Sequence, residues 1–247
     1  MESDPPLLAQ GLDHVKSYLL DTQLPRLLAA VGLDTGEVLR KAGLAEDLFT
    51  RPTPAASGAD YLALMQAIGE LVPSDDLAVS LATADGIEQF NPPIFAAFCA
   101  RDGLRCIERL AQYKPLIGPV RYRLETMGPE STLYLEGEDA GSQLPAFVAE
   151  GEFAFILHVL CSATKQHIKP LRVESAHPVS SSLEKLTSAP VVVNGINAIT
   201  FALSDLEIPF ISHNEGMWSY FEPELSRRLS ELDVDDTTSA RVRAALV

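Results

Sequence analysis

His158 and Cys161 stand three residues apart, which puts both side chains on one face of a helix, and Cys99 and Cys106 are separated by two helical turns. Imidazole and thiolate are ligands that zinc or haem iron accepts, so this set is where metal chemistry would lie. No Cys-x-x-Cys pair accompanies it. Three cysteines, an odd number in a long chain, read better as buried, reduced thiols than as a disulfide framework. Catalytic motifs are equally scarce: there is no Gly-x-Ser-x-Gly elbow, no His-Glu-x-x-His pair, no phosphate-binding glycine loop and no dinucleotide fingerprint. The expectation is a chain with no catalytic residues, no metal and no cofactor.

A second set is aromatic. Phe95, Phe98, Tyr113, Tyr122, Phe147 and Phe155 fall on elements expected to meet between a helical part and a sheet, where they form either ordinary core or an apolar, concave pocket. In the pocket reading, Tyr122 and His158 are the polar groups that orient a ligand. His158 sits in the middle of an apolar stretch, where an unpaired polar group costs about 1–3 kcal/mol until it finds a partner.

The elements that must position these residues begin with short helices. Asp34 and Glu37 form a capping box for a helix that closes at Gly43, and Ser57 stands in the same relation to Asp60 before Tyr61, Leu64, Met65, Ile68 and Leu71. Pro73 ends that helix and Ser74 is placed to cap the next. Asp102 caps a helix whose apolar stripe is Leu104, Ile107, Leu110 and Ala111, with Arg105, Glu108, Arg109 and Gln112 facing water.

The period then changes to two. Val120, Tyr122 and Leu124 alternate with Arg121, Arg123 and Glu125, and a turn leads into Leu133 and Leu135, a hairpin with one buried face. A long helix over about Leu144 to Gln166 is apolar nearly all round and is expected to be sandwiched inside the protein. Leu171 and Val173 suggest a strand. Val191 to Val193, the Asn194-Gly195 turn and the alternating Ile199, Phe201 and Leu203 suggest another strand pair. Near the C-terminus Met217, Trp218, Phe221, Leu225, Leu229 and Leu232 share one helical face, with Pro223 tolerable in the helix's first turn. That face packs on its own domain or makes a two-fold dimer. Helices first and a sheet with its helix afterwards predict an α+β fold: a helical subdomain over 1–117, a mostly antiparallel sheet on a long buried helix over 118–232 with C-terminal helices, and a linker over 233–247 that includes the acidic Asp233 to Asp236.

Composition narrows the function. Of 247 residues, 47% are hydrophobic, ample for a sizeable core. The net charge of −15 opposes a phosphate backbone, since DNA binding rests on counterion release by clustered cations. The polar N-terminus reads as no secretion signal, and the longest apolar run, Phe153 to Cys161, is about half a membrane span. These features predict a cytoplasmic protein with no membrane association.

Several segments, in this order, resemble the arabinose-binding-type N-terminal domain of AraC/XylS-family transcription regulators. They are Leu27 to Gly32 leading into Val38-Leu39-Arg40-Lys41-Ala42-Gly43-Leu44, the helix Tyr61 to Leu71, Gly103 to Tyr113, and Asn197-Ala198-Ile199-Thr200-Phe201 with Leu206, Pro209 and Phe210. The resemblance implies a domain that binds a small-molecule effector and controls an attached pair of helix-turn-helix motifs, with DNA reached only through that second domain. Arg241 to Val247 resembles the start of the connection to it. Leu27 to Leu39 itself looks like a helix-turn-helix, but Asp34 and Glu37 at the reading end would repel phosphate. A small hydrolase acting on an apolar ester and a metal or haem sensor are the competing readings.

Overall fold

The structure is a computed structural model that describes residues 16–72, 74, 76–84, 91–138 and 142–245, with 233–245 described by backbone alone. Short helices lead. Strand β1 (Ser17–Leu19) pairs antiparallel with β2 (Ala55–Ser57), and between them lie α1 (Leu24–Ala30) and α2 (Thr35–Ala42). The Asp34 carboxylate accepts from the Glu37 N–H at 2.8 Å, and Gly43 ends α2 at φ 73°, a backbone angle glycine takes without a Cβ penalty. Ser57 caps α3 (Gly58–Leu71) by accepting from the Asp60 N–H at 3.1 Å. Leu28, Val38, Leu39, Leu64 and Ile68 close a small core between these helices.

Next come α4 (Leu77–Ala82), α5 (Pro92–Phe98) and α6 (Gly103–Tyr113), then the hairpin of β3 (Val120–Met127) and β4 (Glu130–Gly137). Ser74 does not cap α4. Its hydroxyl accepts from the Asp76 N–H at 3.3 Å, in a turn before the helix, and Asp76 occupies the capping position without a side-chain bond to the helix backbone, its carboxylate accepting instead from the Ser182 hydroxyl. Pro73 lies outside the described residues. Asp102 does cap α6, accepting from the Arg105 N–H at 2.8 Å.

Helix α7 (Ala146–Thr164) is the centre of the molecule. With a mean hydropathy of 1.5 over 18 residues, it has the length and composition of a membrane span, unlike the half-span read from Phe153 to Cys161. Most of that window is buried: α7 packs against α3, α4 and α8 (Ser181–Thr187), and shares one core with Leu133, Leu135, Ile199 and Phe201 of the sheet. A helix apolar on more than one face is the sequence's answer to a position with protein packed on most sides.

The sheet has five strands in the order β3-β4-β7-β5-β6, with β5 (Arg172–Ser175), β6 (Val191–Val193) and β7 (Ala198–Ala202). All pairs are antiparallel except β5 with β6. The expected β6–β7 hairpin therefore does not form. Asn194 docks on β5 instead, its backbone N–H donating to Ser175 at 3.1 Å and its side chain to Glu174 at 2.7 Å, so β5 inserts between the two. β7 is a central strand, buried on both faces, and Leu203 begins α9 (Leu203–Leu206) rather than extending it.

The last element, α10 (Glu215–Ala245), runs straight through the acidic Asp233–Asp236 stretch expected as a linker. Pro223 lies inside this helix, not in its first turn. Its missing N–H falls opposite the carbonyl of Ser219, an exposed residue that water can satisfy.

Candidate functional site

A cavity of about 240 Å³ opens between α3, α4, α5, the turn at 114–118 and α7. Its walls are mainly apolar, with Met65, Leu81, Ile94, Phe147 and Phe155 facing inward, and none of its lining residues is classed as exposed. Polar chemistry is concentrated at one end. Lys114, in the turn that directly follows α6, is 5% exposed, and its ammonium donates to both Glu152 carboxylate oxygens at 2.7 and 2.8 Å. The Tyr122 hydroxyl, from β3, donates to the same carboxylate. The ammonium also lies 4.9 Å from the centre of the Tyr122 ring and 5.7 Å from that of Phe155, so the cation is held by a carboxylate and two π faces.

Tyr61 contributes a phenol to the same cavity and makes no hydrogen bond among the described residues; its ring meets Tyr18 edge-on at 6.1 Å. Burial, then the Glu152 charge, push its pKa up to about 12. Tyr122 is pushed well above its ordinary value by burial first and by Glu152 second. Both stay phenols, and therefore donors, at neutral pH.

A second cavity, of about 520 Å³, adjoins the first across Ala78 and Phe147. Gln66, Glu70, Ser74 and Gln143 on its lining are exposed, so polar groups there already have water. The larger cavity also has the buried Glu150 on its lining, but only the smaller one combines a buried Lys114–Glu152 ion pair with walls free of exposed residues, which makes it the better candidate site.

The sequence of residues 32–210 matches the family described as the arabinose-binding domain of AraC transcription regulator, N-terminal. The chain belongs to this family. A crystal structure of the transcriptional regulator CdpR from Pseudomonas aeruginosa has a similar fold, with a TM-score of 0.57 at 12% identity, over 86% of this chain and 66% of that one. No curated protein gives a significant match.

In this AraC-type domain the residues picked out by sequence divide into two places. Phe147 and Phe155 line the cavity, and Tyr122 closes its polar end through Glu152. Phe95 and Tyr113 instead meet α10: the Phe95 ring lies 5.6 Å from Phe221, and Tyr113 lies 6.0 Å from Trp218 while bonding Ser226 at 3.0 Å. Phe98 packs on the main core. His158 is half-buried, 3.5 Å from Ser162 one turn further along α7, and is not on the cavity wall.

The C-terminal stripe packs within the chain. Trp218 and Leu225 are buried against Ala96 and Tyr113, with Phe221 and Leu229 packed alongside. Met217 and Leu232 are half-buried. Arg109, expected in water, is 4% exposed because its guanidinium stacks on Trp218, a contact between residues 109 positions apart that helical period cannot disclose. Lys114 and Glu152 also escaped the sequence reading. The available signal was a pair of carboxylates, Glu150 and Glu152, inside a mostly apolar helix.

The cysteines are free thiols, with Cys99 and Cys106 buried and Cys161 half-buried. Among the described residues no group of three or more His, Cys, Asp or Glu side chains is placed to hold a metal ion.

Proposed function

We propose that this AraC-type domain is an effector sensor: a small apolar or amphipathic molecule binds in the 240 Å³ cavity and biases a helix-turn-helix DNA-binding domain attached to it, in the cytoplasm. The observation that carries this reading is the Lys114–Glu152–Tyr122 network at the end of an apolar cavity. Buried charges there are costly, and a core with no ligand to orient is served better by apolar side chains of the same volume.

The cavity also touches the elements that hold α10. Ile94 of α5 lines it while the adjacent Phe95 packs on Phe221; Lys114 lines it while its neighbours Tyr113 and Leu116 pack with Trp218 and Leu225. A ligand that fits the cavity better in one arrangement of α5 and the 114–116 turn shifts the position of α10 by its differential affinity. No chemistry on the ligand is needed, and DNA contact belongs to the attached domain, since this chain carries a net charge of −15.

Denaturing mass spectrometry of the purified protein tests the reading. Gly151 lines the cavity, and a Cβ built there meets only the Ala78 carbonyl, at 3.9 Å, so Gly151→Met fills the space without a backbone clash. A small molecule that accompanies the wild type and is absent from folded Gly151→Met supports the site. One that accompanies both equally places the ligand elsewhere.

A further inference from the structure

Lys114 and Glu152 are the cation and anion of the cavity lining, and they neutralise each other at 2.7 and 2.8 Å. Glu152 is further occupied by the Tyr122 hydroxyl, and the Lys114 ammonium by the Tyr122 and Phe155 rings. Tyr61 is the remaining titratable group of the lining, and it is a phenol with no partner among the described residues. Building on the assignment of this cavity as the effector site, we infer that the effector is an uncharged molecule with an apolar body and a hydrogen-bond acceptor, such as a ketone, ester or lactone carbonyl, that takes its bond from the Tyr61 hydroxyl.

The argument is one of charge balance. A carboxylate entering the cavity brings a second anion beside Glu152 and finds the Lys114 cation already bonded to both Glu152 oxygens. An ammonium entering it meets Lys114, and the carboxylate and aromatic faces that would hold a cation are in use. Either ion leaves water without a free counter-charge, which is the unfavourable case for burial. A neutral carbonyl gives up little hydration, leaves the ion pair intact and accepts from the Tyr61 hydroxyl, the lining hydroxyl that lacks a partner among the described residues.

Ligand-detected NMR titrations with acetophenone, benzoate and benzylammonium separate the possibilities, because the three share a ring and differ in head group. The expected result is saturable acetophenone binding, at least about tenfold tighter than either ion, lost in Gly151→Met and weakened about three- to tenfold in Tyr61→Phe. Circular dichroism establishes that both variants are folded. Benzoate or benzylammonium binding as tightly as acetophenone, and lost in Gly151→Met, would overturn the uncharged class while leaving the cavity as the site. Acetophenone binding unchanged in Tyr61→Phe would overturn the donor assignment. Binding of no probe, or binding indifferent to Gly151→Met, would remove the cavity assignment itself and the inference with it.

Discussion

The guanidinium carbon of Arg109 lies 3.7 Å from the centre of the Trp218 indole ring, so a stacked cation joins Tyr113 in fastening α10 to α6. The rest of the cation is thinly served: one nitrogen donates to the Ala96 carbonyl at 3.3 Å, another lies 3.7 Å from Glu215, and Nε has no partner among the described residues. Removing the ring therefore both opens a void and strands a buried charge. Trp218→Ala is expected to cost about 3–5 kcal/mol in a urea titration followed by circular dichroism. Trp218→Phe, which keeps a π face, is expected to cost distinctly less. Equal losses would mean that packing alone holds the helix.

Leu225, 1% exposed, sits on the same docked face. Leu225→Asp buries an unpaired carboxylate and is expected to destabilise the monomer by about 3 kcal/mol or more. Light scattering and urea titration are read together. A wild-type dimer that this variant splits into monomers of undiminished stability would refute intramolecular docking of the stripe.

At the cavity, the Lys114–Glu152 pair behaves as a unit. Glu152→Ala leaves the Lys114 ammonium buried without its carboxylate and is expected to cost about 3–5 kcal/mol, whereas Lys114→Met combined with Glu152→Leu recovers most of that loss. The double variant keeps the Tyr61 hydroxyl, and is also expected to weaken effector response by reshaping the cavity wall around it. A double variant as unstable as the single one would show that the pair contributes net stability in place.

Alkaline pH reads out the two shifted phenols. Unfolded tyrosine releases its proton near 10, while Tyr61 holds it to about 12 and Tyr122 is also raised. Above pH 10 the unfolded state thus binds fewer protons than the folded one, and stability falls as pH rises toward 12, having been complete below 10. In ultraviolet difference titration, at least two of the six tyrosines are expected to remain protonated at about pH 11 until the chain unfolds. Ionisation of all six as one class near 10 in the folded protein would contradict the burial of Tyr61 and Tyr122.

Local chemistry was legible in the chain and long-range pairing was not. Asp34, Ser57 and Asp102 cap their helices because a cap depends on residues three apart, and the Val120 to Leu135 hairpin follows from an alternation and a turn that are equally local. β6 misled because Val191 to Val193 and the Asn194-Gly195 turn are compatible with two partners, and the choice of β5 rests on Asn194 bonding Glu174 and Ser175. The site divides the same way. Phe147 and Phe155 follow from the apolar excess of α7, while Lys114 and Glu152 become a feature only when a turn after α6 meets α7, 38 residues on.

His158 and Phe155 sharpen the cavity assignment, because they are three residues apart on α7 and only Phe155 lines it. His158 is half-buried and has Ser162 within 3.5 Å, so His158→Ala removes a weak contact from a position that retains access to water. It is expected to cost under about 1 kcal/mol and to leave effector response unchanged. Phe155→Ala removes a buried ring from the cavity wall, and with it a π face for Lys114; the expected cost is about 3–5 kcal/mol with weakened response. Gly151→Met separates response from stability, since it blocks the cavity while improving helix propensity at a mid-helix glycine by up to about 1 kcal/mol. The three variants, compared by melting temperature and by effector-dependent transcription from the regulator that contains this domain, should therefore fall into three classes: stable and responsive, unstable and weakened, stable and unresponsive. A responsive Gly151→Met, or a stable but unresponsive His158→Ala, would move the effector site away from this cavity.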